Sequence, residues 1–193
     1  MSKVFDDGYS LNKKILTGVT KLAKNVSTTM GPRGKNVILH QKGKNPIITK
    51  DGVTVAEFIE FEDPFENVGA QIIKQVARQS ASSAGDGTTT ATVLAHSILV
   101  QAQPFLAAGV SPIDLKRGID KATSFLINEL PRWSKPVSDE QDLERVATIS
   151  ANGDTTIGKL IARAVDLVGK DGSILIQEAK SMQTSLDIVE GFR

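Results

Sequence analysis

Apolar residues recur at helical spacing along most of this chain, with only short interruptions. Leu11, Ile15, Val19, Leu22 and Val26 fall on one face of a helical period, with lysines and asparagines between them. This predicts an amphipathic helix that ends near Gly31-Pro32, since proline cannot continue it. Residues 36–40 and 46–49 are instead short β-branched runs, and residues 41–45 between them read as the tip of a hairpin. Asp63-Pro64-Phe65-Glu66 has the make-up of a helix start: a capping acid, a proline at the first position, and a glutamate able to reach back to the cap. Phe65, Val68, Ile72 and Val76 then predict a buried stripe, with Gly69 and Ala77 allowing another helix to approach closely.

After a glycine-threonine loop, a further helix carries Leu94, Ile98 and Leu99, bent or ended near Pro104. Ser111-Pro112-Ile113-Asp114 repeats the cap, proline and acid arrangement; the helix it opens carries Leu115, Ile119, Ala122 and Leu126 and stops at Pro131. A boundary follows at 131–136, where two prolines flank a polar link. Beyond it, one short helix is expected over about 138–148 and a second after Asp154, bearing Ile157, Leu160, Ile161, Ala164 and Val168. Lys170-Asp171-Gly172 reads as a turn into a strand at 173–177, with a second strand at 186–189. Two such strands cannot form a stable sheet unaided, so this last segment reads as half of a domain.

Composition narrows the chemistry. The 193 residues, 40% of them hydrophobic, suffice for one sizeable domain or one and a half. A net charge of +1 leaves no global field for nucleic acid or an anionic membrane, and 5% aromatics supply few stacking platforms. With no cysteine, disulfides, thiolate metal sites and cysteine nucleophiles are excluded. His40 and His96 are far apart in sequence and read as surface or packing residues. The first residues lack the apolar core of a secretory signal, and no apolar run approaches the ~20 residues of a membrane span. The expected setting is therefore cytoplasmic, or the matrix of an organelle after removal of a transit peptide, or a host cytoplasm for a virus-encoded chain.

Three loops remain as candidate chemistry. Gly85-Asp86-Gly87-Thr88-Thr89-Thr90 leads directly into an apolar run. The threonines read as the first turn of a helix, whose amides lack internal partners and carry partial positive charge. Such a terminus suits a phosphate, and Asp86 suits the magnesium that accompanies a nucleotide. No Walker A pattern occurs in the chain. Thr28-Thr29-Met30-Gly31-Pro32-Arg33-Gly34 places hydroxyls and glycines at a helix end, and Thr49-Lys50-Asp51-Gly52-Val53 presents a lysine and an acid at a strand end. Taken singly, each is also ordinary turn and cap chemistry; three together are a less ordinary coincidence.

These segments resemble the group I chaperonins. The likeness is carried by residues 29–37, Thr-Met-Gly-Pro-Arg-Gly-Lys-Asn-Val, and 49–55, Thr-Lys-Asp-Gly-Val-Thr-Val. Residues 84–95, Ala-Gly-Asp-Gly-Thr-Thr-Thr-Ala-Thr-Val-Leu-Ala, 114–122 and 147–154 match in order and spacing as well. The resemblance implies a mainly α fold: the amino-terminal part of a multihelical equatorial ATP-binding domain with a small β-hairpin (1–134), then the first half of an α/β intermediate hinge domain (135–190) and the start of an apical domain (191–193). It implies that Thr29, Met30, Gly31 and Pro32 line ATP or ADP, that Gly87, Thr88, Thr89 and Thr90 hold its phosphates, and that Ile149 packs on the adenine. Asp86 would bind magnesium, and carbonyl oxygens of Thr29 and Lys50 would bind potassium. Asp51 would position the water that attacks the γ-phosphate. The implied activity is ATP-driven folding of non-native client proteins by a heptameric ring, single or double, with a possible cochaperonin. The family's second catalytic aspartate and most of its apical domain lie beyond the residues present here. The alternative expectation is thus a non-catalytic fragment that binds nucleotide weakly or associates with full-length subunits. An unrelated phosphotransferase reusing a helix terminus is the remaining rival.

Overall fold

The periodic apolar face of residues 11–26 becomes α1 (Gly8–Ser27), on which Val19, Leu22 and Val26 are fully buried. A computed structural model of the chain describes residues 4–169, 172–177 and 184–189. After α1 come β1 (Val37–Leu39) and β2 (Ile47–Thr49), paired antiparallel with Ile38 opposite Ile48. Next are α2 (Gly52–Phe58), α3 (Pro64–Ala84), α4 (Thr88–Ala107), α5 (Pro112–Trp133), α6 (Glu140–Ser150) and α7 (Thr155–Val168). The fold is the mainly α arrangement with one small hairpin that the sequence predicts.

The chain divides into two compact units, residues 1–124 and 125–193, the division falling within α5. The core of the first unit gathers Val19, Leu22 and Val26 of α1, Leu39 of β1, Val55 and Ala56 of α2, and Ala70 and Ile73 of α3. Helices α1 and α3 cross through glycine. A side chain at Gly18 would strike the backbone carbonyl of Glu66, and one at Gly69 would strike that of Ile15. Gly69 and Ala77 accordingly lie on the buried face, as expected. The predicted stripe, however, is displaced by one position. Gly69, Ala70, Ile73, Lys74 and Ala77 are buried, whereas Val68 and Ile72 are 47% and 44% exposed. Close approach is set by the smallest side chains, so the face carrying Gly69 and Ala70 wins the interface over the bulkier one.

Asp63 caps α3 as expected, accepting from the amides of Phe65 (2.8 Å) and Glu66 (3.0 Å). Glu66 does not complete a capping box; it pairs with Lys21 of α1 at 2.6 Å. Pro104 and Pro131 do not end their helices. Each lies inside the last turns of α4 and α5, where proline removes a single bond and the chain carries on to Ala107 and Trp133. None of the residues of α5 is buried.

In the second unit α6 and α7 pack on each other through Ala147, Gly158 and Ala162, with Gly158 against Thr148. Asp139 caps α6 through the amide of Asp142 (2.7 Å), and Asp154 caps α7 through those of Thr156 (2.8 Å) and Ile157 (3.1 Å). Residues 173–177 and 186–189, expected as strands, are exposed and unpaired; β1 and β2 make the only ladder among the described residues. A strand has no hydrogen bonds of its own, so apolar β-branched sequence without a neighbouring edge does not become sheet. Lys170 and Asp171 of the expected turn, and the expected apical start at 191–193, lie outside the described residues. Among the described residues no helix is long and apolar enough to cross a membrane.

Candidate functional site

Each of the three candidate loops is built by the end of a helix. The loop after α1 turns tightly: the amide of Thr29 donates to Val26 O (3.1 Å), that of Met30 to Ser27 O (3.1 Å), and that of Gly34 to Gly31 O (3.0 Å). The Thr29 hydroxyl also donates back to Val26 O at 2.8 Å, which leaves this side chain buried and the Met30 side chain exposed. Gly31 has φ +71°, a conformation that a Cβ would strain.

The Lys50-Asp51-Gly52 segment opens α2, a helix that the sequence reading had as a turn. Its β-branched run Val53-Thr54-Val55 hides the helix, and the decisive element is the cap. Asp51 accepts from the amides of Val53 (3.4 Å) and Thr54 (2.8 Å) and from the Thr54 hydroxyl (2.6 Å). Partial withdrawal from water pushes the Asp51 carboxyl up. The Thr54 hydroxyl and the two helix amides outweigh this and hold it below the usual carboxylate value.

Asp86 lies between two left-handed glycines. Gly85 (φ +73°) ends α3 and Gly87 (φ +79°) precedes α4, so the chain reverses within three residues. The Ser80 hydroxyl of α3 holds the reversal by donating to Asp86 O at 2.9 Å, and the Gly87 amide donates to Asp86 Oδ1 at 2.6 Å. Thr88, Thr89 and Thr90 form the first turn of α4, as expected. The helix has no side-chain cap, and its first intrahelical bond runs from the Ala91 amide to Gly87 O (2.8 Å). The threonine amides therefore precede the ladder and face outward from a positive helix end.

Two glycines draw the loops together. A side chain at Gly52 would collide with the Thr89 hydroxyl and would lie 3.3 Å from Cγ1 of Val26. The start of α2, the start of α4 and the end of α1 thus meet at one point. A side chain at Gly34 would strike the Thr29 carbonyl and come within 2.9 Å of Cε of Lys50. Thr29, Lys50, Asp51 and Thr89 accordingly belong to one cluster, flanked by Asp86. Ile149 lies in the second unit, on α6, where it is 75% exposed. Nothing in the sequence assigned Gly34 or Gly52 its part, because close approach between distant segments leaves no local pattern.

The cluster fits a magnesium nucleotide better than a bare metal. Among the described residues no group of three histidine, aspartate or glutamate side chains could hold an ion. Magnesium, however, is ordinarily carried by one or two carboxylates together with nucleotide phosphates, and one carboxylate beside an open helix N-terminus meets that description. A groove lined by Ile72, Gln75, Val76, Gln79, Ser80, Ser83 and Ala91 runs along α3 and α4, and none of the expected site residues lines it. His96, from α4, lies 3.2 Å from the Thr20 hydroxyl of α1 and serves packing.

The sequence model of the TCP-1/cpn60 chaperonin family matches residues 22–192. Among solved structures, the chain is similar to one described as a group III chaperonin in the open state, at 24% identity and a TM-score of 0.69. That match covers 82% of this chain and 32% of the other, so this chain spans about a third of its length. At this identity the likeness speaks for the fold.

Proposed function

Since the chain belongs to the TCP-1/cpn60 chaperonin family, we propose that it supplies the nucleotide-handling part of an ATP-driven protein-folding ring. The observation that carries this reading is the meeting of Gly52 with Thr89, which brings the Asp51 cap to the open first turn of α4. In this reading the amides and hydroxyls of Gly87, Thr88, Thr89 and Thr90 hold the phosphates. Thr29, Met30, Gly31 and Pro32 line the nucleotide, and Ile149 packs on the adenine. Asp86 holds magnesium, which when bound neutralises charge on the transferring phosphoryl group. Carbonyl oxygens of Thr29 and Lys50, hard donors of the kind cations take, hold potassium. Asp51 accepts a hydrogen bond from the attacking water and orients it, the positioning that phosphoryl transfer chiefly needs.

Residues 1–134 then form part of an equatorial domain, 135–190 the first half of a hinge, and 191–193 the start of an apical domain. Heptameric rings, non-native clients, a cochaperonin and a cytoplasmic setting complete the proposal. Nucleotide drives such a machine only through a difference in its binding between two ring states.

The test is calorimetric. Asp86→Ala in the native assembly is expected to lower magnesium-dependent ATP affinity about 100-fold, as loss of the carboxylate that would hold the magnesium implies. Equal binding by variant and parent would overturn the metal assignment.

A further inference from the structure

Helix α2 is tied at both ends. At its start Asp51 caps the first turn and Gly52 rests on Thr89. At its other end the carbonyl of Glu57 lies in the last turn, where the helix offers it no internal partner. That carbonyl accepts from Nζ of Lys74 at 3.0 Å. Lys74 comes from the middle of α3 and is only 2% exposed, the largest side chain so deeply buried among the described residues. Four residues further along α3, Arg78 grips the Glu57 carboxylate with two bonds of 2.6 Å, from Nε to Oε1 and from Nη2 to Oε2.

A buried ammonium is an expensive way to fill space. Withdrawing an ammonium from water is costly unless it finds a partner, and an apolar chain of similar volume would fill the same space without that cost. Burial of α2 does not require it either, since Val55 and Ala56 already bind the helix into the core. What the ammonium adds is direction: a cation fixed at a helix C-terminus, aligned with the dipole and bonded to one carbonyl. Helix α2 is short, about 10 Å end to end, so fixing its last turn fixes its first. The same α3 that holds α2 ends at Gly85 and carries the Asp86 loop.

We propose that Lys74, seconded by Arg78, is a positioning residue for Asp51. By tying the C-terminal end of α2 to α3, it sets the distance between the Asp51 carboxylate and the first turn of α4. Both carboxylates of the site, Asp51 and Asp86, then refer to one frame, α3. The inference rests on the hydrolytic reading of Asp51 given above.

The experiment compares Lys74→Met, Asp51→Asn and the double variant with the parent in the native assembly, using ATP turnover and ADP affinity. Lys74→Met should lower kcat by about 10-fold while KM and ADP affinity stay within about 2-fold, as misplacing a group that acts on the reacting water requires. Its Tm should fall only modestly, since the apolar packing is kept and one carbonyl loses its donor. On the Asp51→Asn background the same substitution should add little further loss. Unchanged turnover in Lys74→Met, or an undiminished effect without the Asp51 carboxylate, would overturn the positioning role while leaving that of Asp51 intact. Full turnover in Asp51→Asn would instead overturn the hydrolytic reading and this inference with it. Should Lys74→Met not fold, Arg78→Gln decides by the same readouts, because that side chain is 53% exposed and its loss leaves the core whole. Unchanged turnover there would then count against the tie.

Discussion

At Asp51 one carboxylate serves two ends. It caps α2 through Val53 and Thr54, and in the proposed reading it also orients the attacking water, its neighbour Gly52 meeting Thr89 in the first turn of α4. The three hydrogen bonds that it accepts favour its ionised form and hold its pKa below the usual range despite partial burial. A carboxylate so stabilised is a weak base, suited to orienting a water through a hydrogen bond and less to removing its proton early. The sign of its pH dependence follows. The folded-state pKa lies below the unfolded one, so the stabilisation is complete above the ordinary carboxylate range, ~4, and is lost as pH falls through the lowered value. Asp51→Asn separates the two ends, since asparagine caps a helix about as well as aspartate. Turnover should fall by ~100-fold at pH 7, the scale of a lost acid-base or water-orienting group, while the unfolding free energy stays within ~0.5 kcal/mol of the parent. Parallel losses in both would mean that the carboxylate matters only as a cap.

Among the elements, α1 and α3 carry the first unit, and the narrowest point of their crossing is glycine against backbone. Gly18 faces the Glu66 carbonyl and Gly69 faces that of Ile15, and neither backbone can turn aside as a side chain would. Gly69→Ala, which would ordinarily strengthen a helix, should destabilise the chain by about 1–3 kcal/mol in urea, because overpacking outweighs propensity. An increase in stability would show that the helices can part without cost. The periodicity of residues 65–76 could not reveal which face would win, since Val68, Ile72 and Val76 suit a buried stripe as well as Ala70, Ile73 and Ala77 do. Helix α2 was hidden for a related reason. Its seven residues are too few for a period and rich in β-branched side chains, so the Asp51 cap and burial of Val55 and Ala56 decide it rather than propensity. The hairpin, by contrast, is local, and its register follows from two short runs and one turn.

For the whole molecule, the three loops belong to the first unit and Ile149 to the second. Helix α5 has the apolar period of a packed helix, and Phe125, Leu126, Ile127, Leu130 and Trp133 on it are nevertheless exposed. Apolar side chains at helical spacing ordinarily lie against a neighbour. The prediction at this scale is assembly. Native mass spectrometry of the protein from its own source should find a ring of seven or fourteen copies. A 20.7 kDa monomer would remove the ring and leave the non-catalytic reading.

The sequence by itself determined what local chemistry can determine: the helix starts at Asp63 and Asp154, the short helix from about residue 138, the hairpin, and the Gly85–Thr90 loop opening α4. Ordered motifs placed the chain among the chaperonins, and the family match over residues 22–192 bears that out. Caps and turns are legible because the groups that satisfy each other lie within four residues. Tertiary structure alone decided which face of α3 is buried, that Asp51 opens a helix, and that Gly52 meets Thr89. It alone brought the ammonium of Lys74 to the Glu57 carbonyl, 17 residues away. Such pairings depend on which distant surfaces come close enough to exclude water, and that is a property of the packed chain rather than of any segment.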